Sequence, residues 1–148
     1  MSALNDPASG LLNAAYFEAA VPERVELARR TLRPLSIILI RSSSPDVTAS
    51  ERATVVRGCI RRADTVCQLD DEVVGLILED TPEDGAICVG ERLRSALGDA
   101  MDATPTWGSV ATYPAHALDA DGLLGAARHA LEAAAAWPES SIVVARQH

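Results

Sequence analysis

The sequence predicts a single α/β domain of the α+β kind, and three observations carry that prediction. Segments with helical spacing of apolar residues alternate with short apolar runs along the chain. Apolar residues make up 48% of the 148, enough for a sizeable core in one domain spanning 1–148. Two runs rich in β-branched residues, 65–69 and 73–78, flank a short polar tip and read as a β-hairpin. Aromatic residues are only 3%, so Ala, Val, Leu and Ile must fill the core.

The elements follow in order. Residues 1–5 read as a disordered start. Asp6 or Ser9 is a candidate cap for a first helix over 13–20, continued over 23–31. Pro22 lacks a backbone donor, so a kink or break is expected at Val21-Pro22. Arg33-Pro34 closes the segment. The run 35–40 suits a central strand buried on both faces. Thr48 and Glu51 form a capping box for a short helix, with Ala53, Val56, Ile60 and Ala63 as its buried stripe. Arg57, Arg61 and Asp64 fall along one side of that helix and its end, and i, i+3 spacing lets Asp64 pair with Arg61.

After the hairpin, Thr81 is a cap with Pro82 at the first helical position and Glu83 and Asp84 in the first turn. Ala86, Val89, Leu93 and Leu97 make the buried stripe, Arg92 lies at its edge, and Gly98 is expected to close the helix. Residues 99–105 read as a loop and 106–112 as a strand ended by Tyr113-Pro114. Asp119 or Asp121 caps a last helix with Leu123, Leu124, Ala127, Leu131 and Ala134 inward. Pro138 stops it at Trp137. Residues 142–145 are the final strand.

Composition narrows function. The net charge of −8 argues against non-specific nucleic-acid binding and against anionic membranes. It leaves room for a small anionic ligand held by a local arginine cluster. Cys59, Cys67 and Cys88 form no Cys-x-x-Cys pair, so neither zinc nor a disulfide framework is indicated, and all three are expected as buried thiols. His116, His129 and His148 lack ligand spacing and read as surface residues. No metal and no cofactor is read from these patterns. There is no signal peptide and no apolar run of membrane-span length, and the expected location is cytoplasmic.

The hairpin tip, Asp70-Asp71-Glu72, is unusual. Turn chemistry favours Asn-Gly or Asp-Gly, and three like charges repel, so the tip is either solvated or suited to a cation. The stretch 61–78 resembles the signature of GGDEF domains, the diguanylate cyclase family. There a Gly-Gly-acid-Glu-Phe hairpin carries the chemistry, and an upstream Arg-x-x-Asp forms a product-binding inhibitory site. Arg61-Arg62-Ala63-Asp64 stands at the family spacing from Asp70-Asp71-Glu72-Val73-Val74 without a gap. The opening is similar too. Asp6, Gly10, Leu11, Asn13 and Phe17 are in register, while Ala8, Ser9 and Ala14 replace Leu, Thr and Arg. Near the end Ala130, Leu131 and Ala134 fit the family pattern, and Pro138-Glu139-Ser140 replaces Gly-Arg-Asn.

The resemblance implies a nucleotide-cyclase-like fold, a central, mostly antiparallel five-stranded sheet flanked by helices. It also implies a degenerate active site. Arg41 occupies the place of a magnesium-binding acid, and a guanidinium has only donors where a hard cation needs oxygen. The guanine-reading loop after the first strand is missing. Without a gap, Asp70 and Asp71 replace the two glycines, Glu72 keeps the metal-binding acid, Val73 replaces the catalytic Glu and Val74 the Phe; a one-residue slip would preserve the acidic pair. Ala135 replaces the phosphate-binding Lys. With metal ligand and phosphate anchor both gone, phosphoryl transfer has no charge stabilisation, and cyclase activity is not expected.

The Arg-x-x-Asp pair remains, and ungapped counting puts Arg92 at the place of the family's third inhibitory-site residue. Arginine can bond bidentately to guanine O6 and N7. Two readings therefore stand: a cyclic di-GMP receptor using Arg61, Asp64 and Arg92, or a ligand-silent pseudoenzyme serving as a protein-contact or homodimerisation scaffold.

Overall fold

The computed structural model describes residues 4–101 and 104–146. The expected disorder at 1–3, part of the 99–105 loop and the reading of His148 lie outside them. The chain runs α1 (Ala14–Thr31), β1 (Leu35–Arg41), α2 (Ala49–Arg57), β2 (Thr65–Gln68), β3 (Val73–Glu79), α3 (Glu83–Ala100), β4 (Trp107–Tyr113), α4 (Ala120–Ala135) and β5 (Ser141–Val144).

β1 is the middle of a five-stranded sheet ordered β2-β3-β1-β4-β5. It pairs antiparallel with β3, from Leu35 opposite Glu79 to Arg41 opposite Val73, and antiparallel with β4. Among the described strands only β4 and β5 pair parallel. Successive side chains of a strand point to opposite faces, which explains the unbroken apolar run. Ile37 and Leu39 join Phe17, Val21 and Val25 of α1 and Leu123 and Ala127 of α4 in one core. Ile38 and Ile40 join Val56 of α2 and Leu93 and Leu97 of α3 in the other. Among the described residues no helix is long and apolar enough to cross a membrane.

Several local expectations give way. Leu4 and Asn5 are paired rather than loose: Leu4 O accepts the Asn13 N–H at 2.8 Å, and Asn5 bridges Leu12. The cap of α1 is Asn13, whose Oδ1 accepts the Tyr16 N–H at 2.9 Å. Asp6 and Ser9 close the turn before it, with Ser9 N and Oγ both donating to Asp6 Oδ2. α1 passes through Pro22 without ending. Pro22 is exposed and has no N–H to give to the carbonyl of Glu18, so the helix continues with one backbone bond fewer. Phe17, Val21 and Val25 hold both halves on the sheet.

α2 ends at Arg57 with Gly58 as its cap, so Ile60 is only half-buried and Ala63 is exposed. The Thr48–Glu51 capping box is present in both directions. At α3 the cap position is Pro82, and Thr81 instead donates its hydroxyl to Glu79 O at 2.8 Å. α3 continues past Gly98 to Ala100, because Met101 beyond it is buried and extends the apolar stripe. Asp119 caps α4, which stops at Ala135, two residues before Trp137. Cys59 and Cys67 are buried, but Cys88 is exposed on the outer side of α3.

Candidate functional site

The hairpin tip joins β2 to β3 through residues 69–72. Asp70 Oδ1 accepts the N–H groups of Glu72 at 2.8 Å and Val73 at 2.9 Å. This short side-chain carboxylate adds to the backbone bonds of the turn, in which Val73 O accepts the N–H groups of Leu69 at 2.8 Å and Asp70 at 3.4 Å. Positive φ among the described residues is confined to Gly10, Leu32 and Asp80, so the tip needs no glycine for its backbone. Asp70 and Asp71 face solvent, while Glu72 is half-buried.

Each oxygen of Glu72 has a partner. Its carbonyl accepts the Ser42 N–H at 2.9 Å, Oε2 accepts from Ser43 Oγ at 2.8 Å, and Oε1 lies 3.5 Å from Arg41 Nη2. The tip is therefore solvated in part and neutralised in part by arginine.

A second arginine holds the tip from beneath, one the sequence reading did not single out. Arg52 of α2 is 4% exposed. Its Nη1 donates to Ser42 O at 2.7 Å and its Nη2 to Asp71 O at 3.1 Å, tying the loop after β1 to the hairpin. Burial lowers its pKa, while Asp70, Glu72, Asp6 and Asp71 act in the opposite direction. The available signal was its spacing: Arg52 stands four residues before Val56 and beside Ala53, on the buried stripe.

Arg41, Asp70, Asp71, Glu72, Val73 and Ala135, the six degenerate positions read from the sequence, converge on one open cleft of about 390 Å³, which Leu131 and Glu132 of α4 complete. Four carboxylates line it against one arginine. The magnesium that the family resemblance implies would need several oxygen ligands. Among the described residues, no group of three or more His, Cys, Asp or Glu is placed to hold a metal. Glu72 is already engaged by Arg41 and Ser43. The Ala135 methyl offers no charge to a phosphate. The residues present do not fit the metal.

Arg61 and Asp64 lie on the turn between α2 and β2, not on a helix face. The Arg61 N–H donates to Asp64 Oδ2 at 3.0 Å, and its Nη2 reaches Asp64 Oδ1 at 3.2 Å. The same Nη2 donates to Glu79 O at 2.9 Å and Thr81 Oγ1 at 2.7 Å. The Asp64 side chain is 2% exposed and that of Arg61 is 60% exposed. Arg92 Nη1 donates to Cys59 O at 3.0 Å, so it grips the same loop two residues before Arg61. Arg57 departs from the expected row and donates to Gly10 O.

His116 is not a surface residue. Its side chain is 7% exposed, Nδ1 accepts the Thr112 N–H at 2.8 Å, and Nε2 meets Glu83 Oε1 at 2.7 Å. With Nδ1 accepting, the ring proton sits on Nε2. His129 is exposed.

The sheet order and the helices on both its faces define a nucleotide-cyclase-like fold, and it is the fold of GGDEF domains of the diguanylate cyclase family. No protein-family model matches the chain, and no curated protein matches it. Solved structures do. The GGDEF domain of YfiN (TpbB) from Pseudomonas aeruginosa superposes with a TM-score of 0.85 at 20% identity, over 96% of this chain and 94% of that one. The GGDEF domain of DgcB from Caulobacter crescentus, solved in complex with c-di-GMP, gives 0.85 at 12% identity over 97% and 96%. The diguanylate cyclase SiaD of Pseudomonas aeruginosa, solved with its activator SiaC, gives 0.80 at 19% identity over 97% of this chain and 62% of that one.

Proposed function

We propose that this chain is a catalytically inactive GGDEF-like domain that binds cyclic di-GMP in the cytoplasm through Arg61, Asp64 and Arg92. One observation carries the reading. Arg61 is fixed by Asp64, Glu79 O and Thr81, yet most of its side chain faces solvent. A guanidinium already held in place loses little entropy when it meets a guanine edge. Asp64 beneath it serves as the anchor, and Arg92 steadies the loop from α3. The net charge of −8 makes such a local cationic point the natural place for a dianionic dinucleotide.

Turnover of GTP is not part of this reading. A triphosphate entering the hairpin cleft would meet Asp70, Asp71, Glu72 and Glu132 with only Arg41 in support. Positioning and electrostatic stabilisation supply nearly all of the acceleration in phosphoryl transfer, and the cleft supplies neither.

The test is calorimetric titration of the chain with cyclic di-GMP, with GTP and magnesium in a parallel run. Micromolar or tighter binding of cyclic di-GMP is expected, with no heat from GTP. With Nε and Nη2 engaged, Nη1 is the group left to meet a guanine acceptor, and one hydrogen bond from a charged donor contributes about 1.5–3 kcal/mol, so Arg61→Ala is expected to weaken binding by about 10- to 150-fold. Absence of heat with both ligands refutes the receptor reading and leaves a protein-contact scaffold. Heat with GTP and magnesium refutes the claim of an inactive cleft.

A further inference from the structure

Thr81, between β3 and α3, is held by several parts of the molecule at once. Its N–H donates to Pro34 O at 3.2 Å, just ahead of β1, and its carbonyl accepts the Ser36 hydroxyl at 2.8 Å from within β1. Ser36 Oγ also meets Thr112 Oγ1 of β4 at 2.8 Å, so the backbone of Thr81 is tied to two strands of the sheet. Thr81 is buried.

Its side chain is fixed as well. A methyl group added at Gly85 would lie 3.2 Å from Thr81 Cγ2, so the Thr81 methyl already occupies the space over the first turn of α3. A β-branched side chain has few rotamers, and with the methyl placed there the hydroxyl turns away from the helix. Thr81 therefore does not cap α3. Its one proton goes to Glu79 O at 2.8 Å, and its lone pairs are left as acceptors. Arg61 Nη2 donates to that oxygen at 2.7 Å.

Arg61 Nη2 has two protons and three acceptors: Thr81 Oγ1, Glu79 O at 2.9 Å and Asp64 Oδ1 at 3.2 Å. The Thr81 contact is the shortest. Asp64 shares a turn with Arg61, so that pair moves with the turn. Thr81 and Glu79 O are the contacts that refer the guanidinium to the sheet, and Thr81 also stands two residues before Glu83, where the helix carrying Arg92 begins. We infer that Thr81 is a positioning residue for Arg61: its hydroxyl holds Nη2 against the sheet, sets Arg61 relative to the root of α3, and leaves Nη1 as the free end. Its consequence for affinity rests on the cyclic di-GMP reading; the order of the Arg61 side chain is a property of the free chain.

Nuclear magnetic resonance of the full chain without ligand tests it first. The Arg61 Nε–H signal is assigned by its loss in Arg61→Ala, and nitrogen relaxation gives its order parameter. A value near the roughly 0.85 of rigid backbone is expected, falling toward about 0.6 in Thr81→Val, which keeps the shape and removes the hydroxyl. Thr81→Ala is expected to show the same loss, and Thr81→Ser to restore the order. Calorimetry with cyclic di-GMP reads the consequence. Immobilising one long side chain on binding weakens affinity by about 2- to 12-fold, which is the loss expected for Thr81→Val. In an Arg61→Ala background the same substitution is expected to weaken binding no further, whereas a general loss of structure would weaken it equally in both. An Arg61 signal unchanged in Thr81→Val, or equal losses in the two backgrounds, overturns the inference. A wild-type chain that binds no cyclic di-GMP refutes the receptor reading instead, and the Arg61 signal alone then decides the role of Thr81.

Discussion

Replacing Arg52 with Met tests whether the acidic tip depends on the arginine beneath it. Arg52 donates to two carbonyls, Ser42 O at 2.7 Å and Asp71 O at 3.1 Å. Ser42 is 2% exposed, so water does not take over its bond, and a hydrogen bond from a charged donor contributes about 1.5–3 kcal/mol. Asp71 is exposed, and its carbonyl is rehydrated at little loss. Methionine keeps the apolar stem packed and removes a buried charge, which offsets part of the loss. The net expectation is destabilisation of about 2 kcal/mol, or about 6 °C in thermal midpoint. Urea unfolding followed by the fluorescence of Trp107 and Trp137 measures it. Arg52→Lys keeps the charge but lacks the fork that spans both carbonyls, and it is expected to restore little. An unchanged or higher midpoint in Arg52→Met refutes the reasoning. It would mean that the Asp70 turn holds the tip alone and that burying the arginine is a net penalty.

Two further outcomes follow from the thiols. Under native conditions a small disulfide reagent is expected to modify one thiol per chain quickly, at exposed Cys88, and to reach Cys59 and Cys67 only on unfolding. Mass mapping of early adducts checks this. Burial pushes the Cys67 thiol up to about 12 from an ordinary 9.0, although Arg24 pulls the other way. Below pH 9 both folded and unfolded forms keep the proton and the group contributes no pH dependence. Between about 9 and 12 the unfolded thiol ionises first, so stability falls as pH rises. Urea midpoints across that window are expected to decline less steeply in Cys67→Ala, once its own cavity penalty is subtracted.

The sheet was legible because its signals are dense. Residues 35–40 are apolar at every position but Ser36, which only a strand covered on both faces tolerates, and β1 is the centre of the sheet. The Thr48–Glu51 box and the Asp119 cap are local hydrogen-bond patterns that nothing farther away disturbs. The convergence of Arg41, the acidic tip and Ala135 on one cleft was legible through resemblance. Other features depend on tertiary context that spacing does not encode. Thr81 has the chemistry of a cap, but Arg61, twenty residues away in sequence, claims its hydroxyl. Asp6 and Ser9 satisfy each other and leave the cap of α1 to Asn13. Pro22 sits inside a continuous helix because Phe17, Val21 and Val25 hold the turns before and after it on the sheet. His116 reads as a loop histidine until Glu83 of α3 is folded against it. Arg52 looks like an ordinary helix-surface arginine unless its place on the Ala53–Val56 stripe is weighed above its charge.

The Asp70 turn separates the path of the hairpin from the composition of its tip. Its rails are fixed by burial of Val74, Leu76, Ile77 and Leu78, and its bend by one oxygen accepting two amides. Neither depends on bare backbone at the tip. Shape here is inherited from the core, while the tip is free to change composition under whatever pressure acts on the surface. Exchanges of side chain at the tip are therefore expected to leave the path of both strands unchanged so long as the buried rails are kept.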